Sequence, residues 1–197
     1  MSKLLHRRQV VRTLLKDRNG MMVVGGLGAS AWDITDAGDE PTSFPMWGAM
    51  GGATMVGLGM ALAQPKRKAL VITGDGEMLM SLGSLATIAI QKPANLSIVV
   101  LDNEHYGETG MQETHTRYGV DLVTIAQGAG FQRTLRVNTE EDVAKLRHMI
   151  YNEEGTLFAV VKIDPEKLPL VLPPRDGSYI KNRFRMAVLG PDALHDE

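Results

Sequence analysis

The sequence contains no cysteine, which excludes disulfides, thiolate metal sites and a cysteine nucleophile and is compatible with a reducing compartment. It also lacks any uninterrupted apolar run of the roughly 18 residues needed to cross a bilayer. The amino-terminal stretch Met1 to Asp17 scatters basic residues among leucines and valines and has no signal-peptide core. A cytoplasmic protein without membrane attachment is the expectation. Charge of one sign is missing too: 21 Lys and Arg stand against 23 Asp and Glu, a formal net charge of -2. With no Lys/Arg cluster at helical spacing, nucleic acid is not an expected partner. Aromatic residues are few, at 5%, so aliphatic side chains and the 12 methionines must fill the core and any subunit contacts.

What is present points to one globular unit. At 197 residues and 44% hydrophobic content the chain can bury a substantial core, and its 21 glycines imply several places where backbone turns sharply or approaches a ligand. Leu4 to Leu15 carries apolar residues at helical period and is expected to form a helix. Met21 to Val24 reads as a short buried strand running into Gly25-Gly26-Leu27-Gly28. The polar stretch Ser30 to Phe44 has little periodicity and reads as a loop. After Pro45 to Gly52 comes a helix of small residues ending near Pro65, whose glycines each cost about 1 kcal/mol against Ala unless close packing compensates.

Ala69 to Thr73 and Leu96 to Asp102 read as buried parallel strands, joined by a helix from about Leu79 to Gln91 and a break at Lys92-Pro93. Glu104 to Tyr118 is polar, with two histidines, and has the composition of an active-site loop. A helix from Asp121 to Gly128, a strand from Gln132 to Val137, a helix capped by Thr139 and a strand from Thr156 to Ile163 follow. This alternation predicts an α/β fold: an open parallel sheet with helices on both faces. The expected organisation is one domain over residues 1–164 and a carboxyl-terminal arm over 165–197, too poor in core residues to be a second domain.

The chemistry concentrates at Gly74-Asp75-Gly76 and Asp102-Asn103, the carboxyl ends of adjacent strands, where open α/β sheets bind ligands. A hard divalent cation such as Mg²⁺ needs oxygen ligands and keeps phosphate oxygens among them. Asp75 offers charge, Asn103 an amide oxygen and His105 a backbone carbonyl. Glycines let backbone meet a diphosphate, and a helix starting after Gly76 would point its amino end toward it.

These residues, with Trp47 to Gly52 upstream, resemble the diphosphate-binding domain of thiamine-diphosphate enzymes of the pyruvate decarboxylase and acetolactate synthase superfamily. The resemblance covers about residues 20 to 165 and is strongest to the sulfopyruvate and phosphonopyruvate decarboxylase branch, in length to its separate beta subunits. It implies thiamine diphosphate and Mg²⁺ as cofactors, with Asp75, Asn103 and the His105 carbonyl as metal ligands. It gives Met50 the position of the residue that props thiamine in its bent form, and Gly48 the carbonyl that accepts from the 4′-amino group. Gly74, Gly76, Glu77, Tyr106 and Gly107 fall on cofactor-contacting positions. Gly25, Gly26 and Gly28, with Ala29 and Ser30 beside them, could equally hold phosphate or make a plain turn.

Two departures stand out. Glu77 occupies a place where relatives carry a small polar residue, and an anion there must point away from the diphosphate or meet the metal's outer shell. Met111-Gln112-Glu113 replaces a Gly-Gln-Pro, which bears on the substrate.

The family's activating glutamate belongs to a pyrimidine-binding domain that is absent here. The resemblance therefore implies a hetero-oligomer in which an alpha subunit supplies that domain. His105 and His115, on the loop after the metal site, are the candidate proton donors, with Glu104 and Glu108 as further acids. Arg183 and Arg185 are candidates to reach an anionic substrate from the arm, while His6, His148 and His195 are expected to be solvated. The implied reaction is decarboxylation of sulfopyruvate or phosphonopyruvate to an aldehyde and carbon dioxide. The alternatives are an acetolactate-synthase-like carboligase and a non-catalytic cofactor-binding subunit.

Overall fold

The computed structural model describes residues 4–194; the expectation for His195 falls outside them. Six strands form one parallel sheet: β1 (Met22–Gly25), β2 (Ser43–Pro45), β3 (Ala69–Gly74), β4 (Leu96–Asp102), β7 (Arg133–Val137) and β8 (Leu157–Lys162), in the spatial order β2-β1-β3-β4-β8-β7. A two-stranded antiparallel ribbon, β5 (His105–Tyr106) with β6 (Gln112–Glu113), stands apart from it. Eight α-helices complete the fold: α1 (Arg7–Leu15), α2 (Ala29–Asp36), α3 (Ala53–Ala63), α4 (Asp75–Leu79), α5 (Leu82–Gln91), α6 (Leu122–Ala129), α7 (Glu140–Asn152) and α8 (Gly177–Leu189).

β3 and β4 are central because they can be buried on both faces. Every residue of β4 is buried, as are the first five of β3, the near-continuous apolar run that a covered parallel strand requires. Leu70, Ile72, Val99 and Leu101 turn to one face and pack under α1, α2 and α7. Val71, Ile98 and Val100 turn to the other, under α3, α5 and α6. In α3, a Cβ on Gly57 would stand 2.2 Å from Val71 Cγ2, so the glycine lets this helix lie directly on β3 and recovers its propensity cost by packing. Thr139 and Asp142 close the capping box of α7, as the sequence pattern implied.

The stretch from Ser30 to Phe44 is not a loop. It contains α2 and the edge strand β2, and the correction has a physical cause in Asp33. This carboxylate is fully buried and bonds Arg7 and Arg8 of α1, the latter at 3.0 Å. Burial pushes its pKa up while the two guanidiniums pull against that shift. The acidic residues of this polar stretch are thus a helix–helix tie, since Asp36 also bonds Arg12 at 2.7 Å. The helix expected from about Leu79 to Gln91 is α5, which starts three residues later at Leu82, and a separate short helix, α4, precedes it.

After β8 the chain runs over the carboxyl edge of the sheet, where Trp47 Nε1 donates to the Pro174 carbonyl at 2.7 Å. It then packs α8 against β2, with the Phe184 and Phe44 rings edge to face at 5.4 Å. Arg183 is committed to Asp39 at 2.7 Å, so it serves this docking and not a substrate. Among the described residues no helix is long and apolar enough to cross a membrane.

Candidate active site

The carboxyl ends of β3 and β4 open into a cavity of roughly 610 Å³. Gly74 ends β3 in extended conformation and Asp75 begins α4, a helix of five residues. A Cβ on Gly74 would meet nothing within 4 Å, and its φ of -96° is open to any residue. Neither protein packing nor backbone geometry demands glycine there. What remains is the close approach of something that enters the cavity.

Asp75 lies at the cavity floor, 2% exposed, and its Oδ2 accepts from Thr114 Oγ1. Thr116 Oγ1 stands 2.8 Å from Asp102 Oδ1, 2.9 Å from Thr114 Oγ1 and 3.3 Å from Asp75 Oδ2. One hydroxyl has one proton to give, so the two carboxylates compete for it. Asp102 has a cation of its own, Lys162 on β8 at 2.7 Å. Asp75 is bonded by hydroxyls instead. Burial foremost raises its pKa, the Thr114 bond lowers it, and the charge on Asp102 raises it again, to about 6. A buried carboxylate answered by hydroxyls and not by a guanidinium or ammonium is a position that a bound cation would satisfy.

Past β4 the chain makes an abrupt turn. Asn103 Oδ1 accepts from the backbone N–H of His105 at 2.9 Å, and His105 Nδ1 lies 2.7 Å from the Asn103 carbonyl. Glu104 between them takes a φ of +62°, a costly conformation for a residue with a side chain. Its carboxylate is anchored to Lys162 at 2.8 Å and Arg117 at 3.1 Å, and the Lys162 bond is the main influence lowering its pKa. The amide oxygen of Asn103 has a second lone pair for a cation. Among the described residues no three His, Asp or Glu side chains cluster as a ready-made metal site. The expected set of one carboxylate, one amide and one carbonyl is of another kind, and Asp75, Asn103 and His105 all line the cavity.

Of the residues singled out from sequence, Ser30, Met50, Gly74, Asp75, Gly76, Glu77, Asn103, His105, Tyr106 and Gly107 all line the cavity. Four do not. Gly25 packs on α2, where a Cβ would stand 2.9 Å from Ile34 Cδ1, and Gly26 packs on Glu77. Gly48 lies outside the lining with open space beside it. His115 is exposed on a 3-10 turn, His115–Tyr118, while its neighbours Thr114 and Thr116 point inward. Sequence reasoning missed both threonines and Lys162, as well as the lining residues Arg7, Trp32 and Leu168. No periodic signal in the sequence marks the two threonines, because Thr116 lies within the 3-10 turn that Thr114 precedes.

Comparison with known proteins gives the chain's relatives. The family model described as thiamine pyrophosphate enzyme, C-terminal TPP binding domain, matches residues 24–162. Sulfopyruvate decarboxylase subunit beta of Methanocaldococcus jannaschii is 36% identical over 170 residues, spanning 85% of this chain and 88% of that subunit. Phosphonopyruvate decarboxylase of Streptomyces viridochromogenes is 36% identical over 172 residues, which are 87% of this chain but 43% of that enzyme. Benzoylformate decarboxylase from Polynucleobacter necessarius superposes with a TM-score of 0.70 at 23% identity, over 84% of this chain and 34% of that one, a likeness of fold.

Proposed function

The chain belongs to the thiamine pyrophosphate enzymes through their C-terminal TPP-binding domain, and on that premise we propose that it is the cofactor-binding subunit of a thiamine-diphosphate- and Mg²⁺-dependent 2-oxoacid decarboxylase. The substrate is a small anionic 2-oxoacid, sulfopyruvate or phosphonopyruvate, and a partner chain supplies the pyrimidine-binding domain. The observation that carries this reading is the pairing of Gly74, open to the cavity, with Asp75, buried and without a basic partner in its hydrogen bonds. Relatives named sulfopyruvate decarboxylase subunit beta support the division between two chains.

Bound thiamine diphosphate supplies the electron sink for loss of carbon dioxide. The residues of this chain hold and shield it. Asp75, Asn103 and the His105 carbonyl bind the cation, with Thr114 orienting Asp75. The turn at Gly74 to Gly76 accepts the diphosphate, and Met50 and Tyr106 supply apolar walls. His105, whose side chain lines the cavity as that of Glu108 does, is the group we assign to donate a proton to the product carbon.

The test is a product assay on the chain co-expressed with its partner. Carbon dioxide and free aldehyde are expected from sulfopyruvate or phosphonopyruvate, only with both cofactors present. Asp75→Ala should abolish turnover while the complex still assembles. Accumulation of a longer hydroxyketone would favour carboligation, and full activity in Asp75→Ala would overturn the assignment.

A further inference from the structure

Glu77 is an acid on the cavity wall two residues from Asp75, where a ligand diphosphate would be repelled by it. Its side chain is nonetheless 4% exposed and fully engaged. Oε2 accepts from Thr73 Oγ1 at 2.7 Å and from the backbone N–H of Leu27 at 3.1 Å; Oε1 accepts from the backbone N–H of Gly51 at 3.2 Å. The three donors come from the end of β3, the turn after β1 and the turn before α3. That last turn is strained: Ala49 has a φ of +54° and Gly51 of +96°, closed by a Gly52 N–H to Ala49 carbonyl bond of 2.7 Å. Such conformations persist where surrounding contacts over-determine them. Gly26 fits the same arrangement, since a Cβ there would stand 1.9 Å from Glu77 Oε2.

We propose that Glu77 is a positioning residue: its carboxylate staples the turn that carries Gly48 and Met50 to the turn after β1, and so sets the spacing of two walls of the cofactor cavity. Glu77 acts through these two turns and does not itself contact the cofactor. What the cavity holds rests on the function proposed above; the staple itself does not. The requirement is an acceptor-only group of this length. A glutamine keeps the volume, but its NH₂ must face either the Gly51 N–H or the Leu27 N–H, donor against donor, even though the Thr73 hydroxyl can turn to accept.

The experiment uses the assembled complex, comparing wild type with Glu77→Gln by amide exchange mass spectrometry and by titration of thiamine diphosphate in excess Mg²⁺. Exchange should accelerate in peptides containing Leu27 and Gly51 while α7 stays as protected as in wild type, and cofactor affinity should fall about tenfold, the scale of one lost charge-assisted bond. Gly26→Ala should reproduce this pattern, and the double variant should be no worse than the worse single one, because both break one staple. Should Glu77→Gln fail to fold, Thr73→Val against Thr73→Ser tests the same bond, with only the serine restoring protection. Unchanged exchange at Leu27 and Gly51 in Glu77→Gln overturns the inference, as does additive loss in the double variant. If wild type binds no thiamine diphosphate while Glu77→Gln still loosens both turns, the staple stands and the cofactor reading falls.

Discussion

Asp75 should destabilise the protein when no cation is bound, so Asp75→Asn should make the metal-free chain more stable. The carboxyl pKa rises from 3.8 to about 6 on folding, through burial first and the charge of Asp102 besides. A raised carboxyl pKa means that the folded state favours the protonated form. The group's contribution is fully retained below pH 3.8 and is lost as pH climbs through 6. At about 1.4 kcal/mol per pH interval between the two values, the loss amounts to about 3 kcal/mol at neutral pH.

In a chain of this size that corresponds to a rise in melting temperature of roughly 6–12 °C for Asp75→Asn at pH 7.5. The advantage should shrink toward zero near pH 4. Added Mg²⁺ with thiamine diphosphate should reverse the ranking, because a ligand bound only by the folded wild type stabilises it by mass action. Differential scanning fluorimetry at pH 4, 6 and 7.5, with and without both cofactors, reads all of this. An Asp75→Asn protein that melts below wild type at pH 7.5 without cation, or that keeps the full cation response, would refute the reasoning.

Three further outcomes follow from the same geometry. Thr114→Val removes the hydroxyl that orients Asp75 and should weaken cation binding about 10- to 100-fold, as read by Mn²⁺ titration, whereas Thr114→Ser should stay near wild type. Asp33→Asn leaves Arg7 and Arg8 without their shared buried carboxylate and should cost about 3–5 kcal/mol in urea unfolding; a loss below about 1 kcal/mol would show the tie between α1 and α2 to be idle. Asp121, the N-cap of α6, has its pKa drawn down to about 2, where burial works most against ionisation but the bonds from Arg136 and Thr124 together outweigh it. Its stabilisation is present above pH 3.8 and lost as pH falls through 2. Because the group is part exposed, Asp121→Ala should cost about 1 kcal/mol at pH 7 and markedly less at pH 2, where the folded-state carboxyl is half protonated, as read by thermal melts.

The sheet and the meeting of Asp75 and Asn103 at one cavity were legible because both depend on short-range pattern. The apolar runs ending at Gly74 and Asp102 admit little besides two central parallel strands, and side chains at their carboxyl ends must meet at one edge. The errors arose where a charged residue's partner lies far along the chain. Asp33 looks like part of a polar loop until Arg7 and Arg8 are seen to cover it, and with it α2 was missed. Thr114 and Thr116 sit in a segment without periodicity, and only the folded ribbon shows which face is inward. His115, between them, begins the 3-10 turn on its exposed side. Glu77 was legible as an anomaly, an acid beside an expected diphosphate, yet its three donors come from segments up to 50 residues away and could not be read locally.

The central claim is that Gly74 to Asn103 forms the diphosphate and metal end of a cofactor site. Calorimetric titration of thiamine diphosphate into the assembled complex, with Mg²⁺ and with EDTA, for wild type and Asp75→Ala, tests it most directly. The account predicts saturable binding by wild type that EDTA abolishes and that Asp75→Ala lacks, with little tight binding by this chain alone. Binding of equal affinity in EDTA or in Asp75→Ala would contradict it.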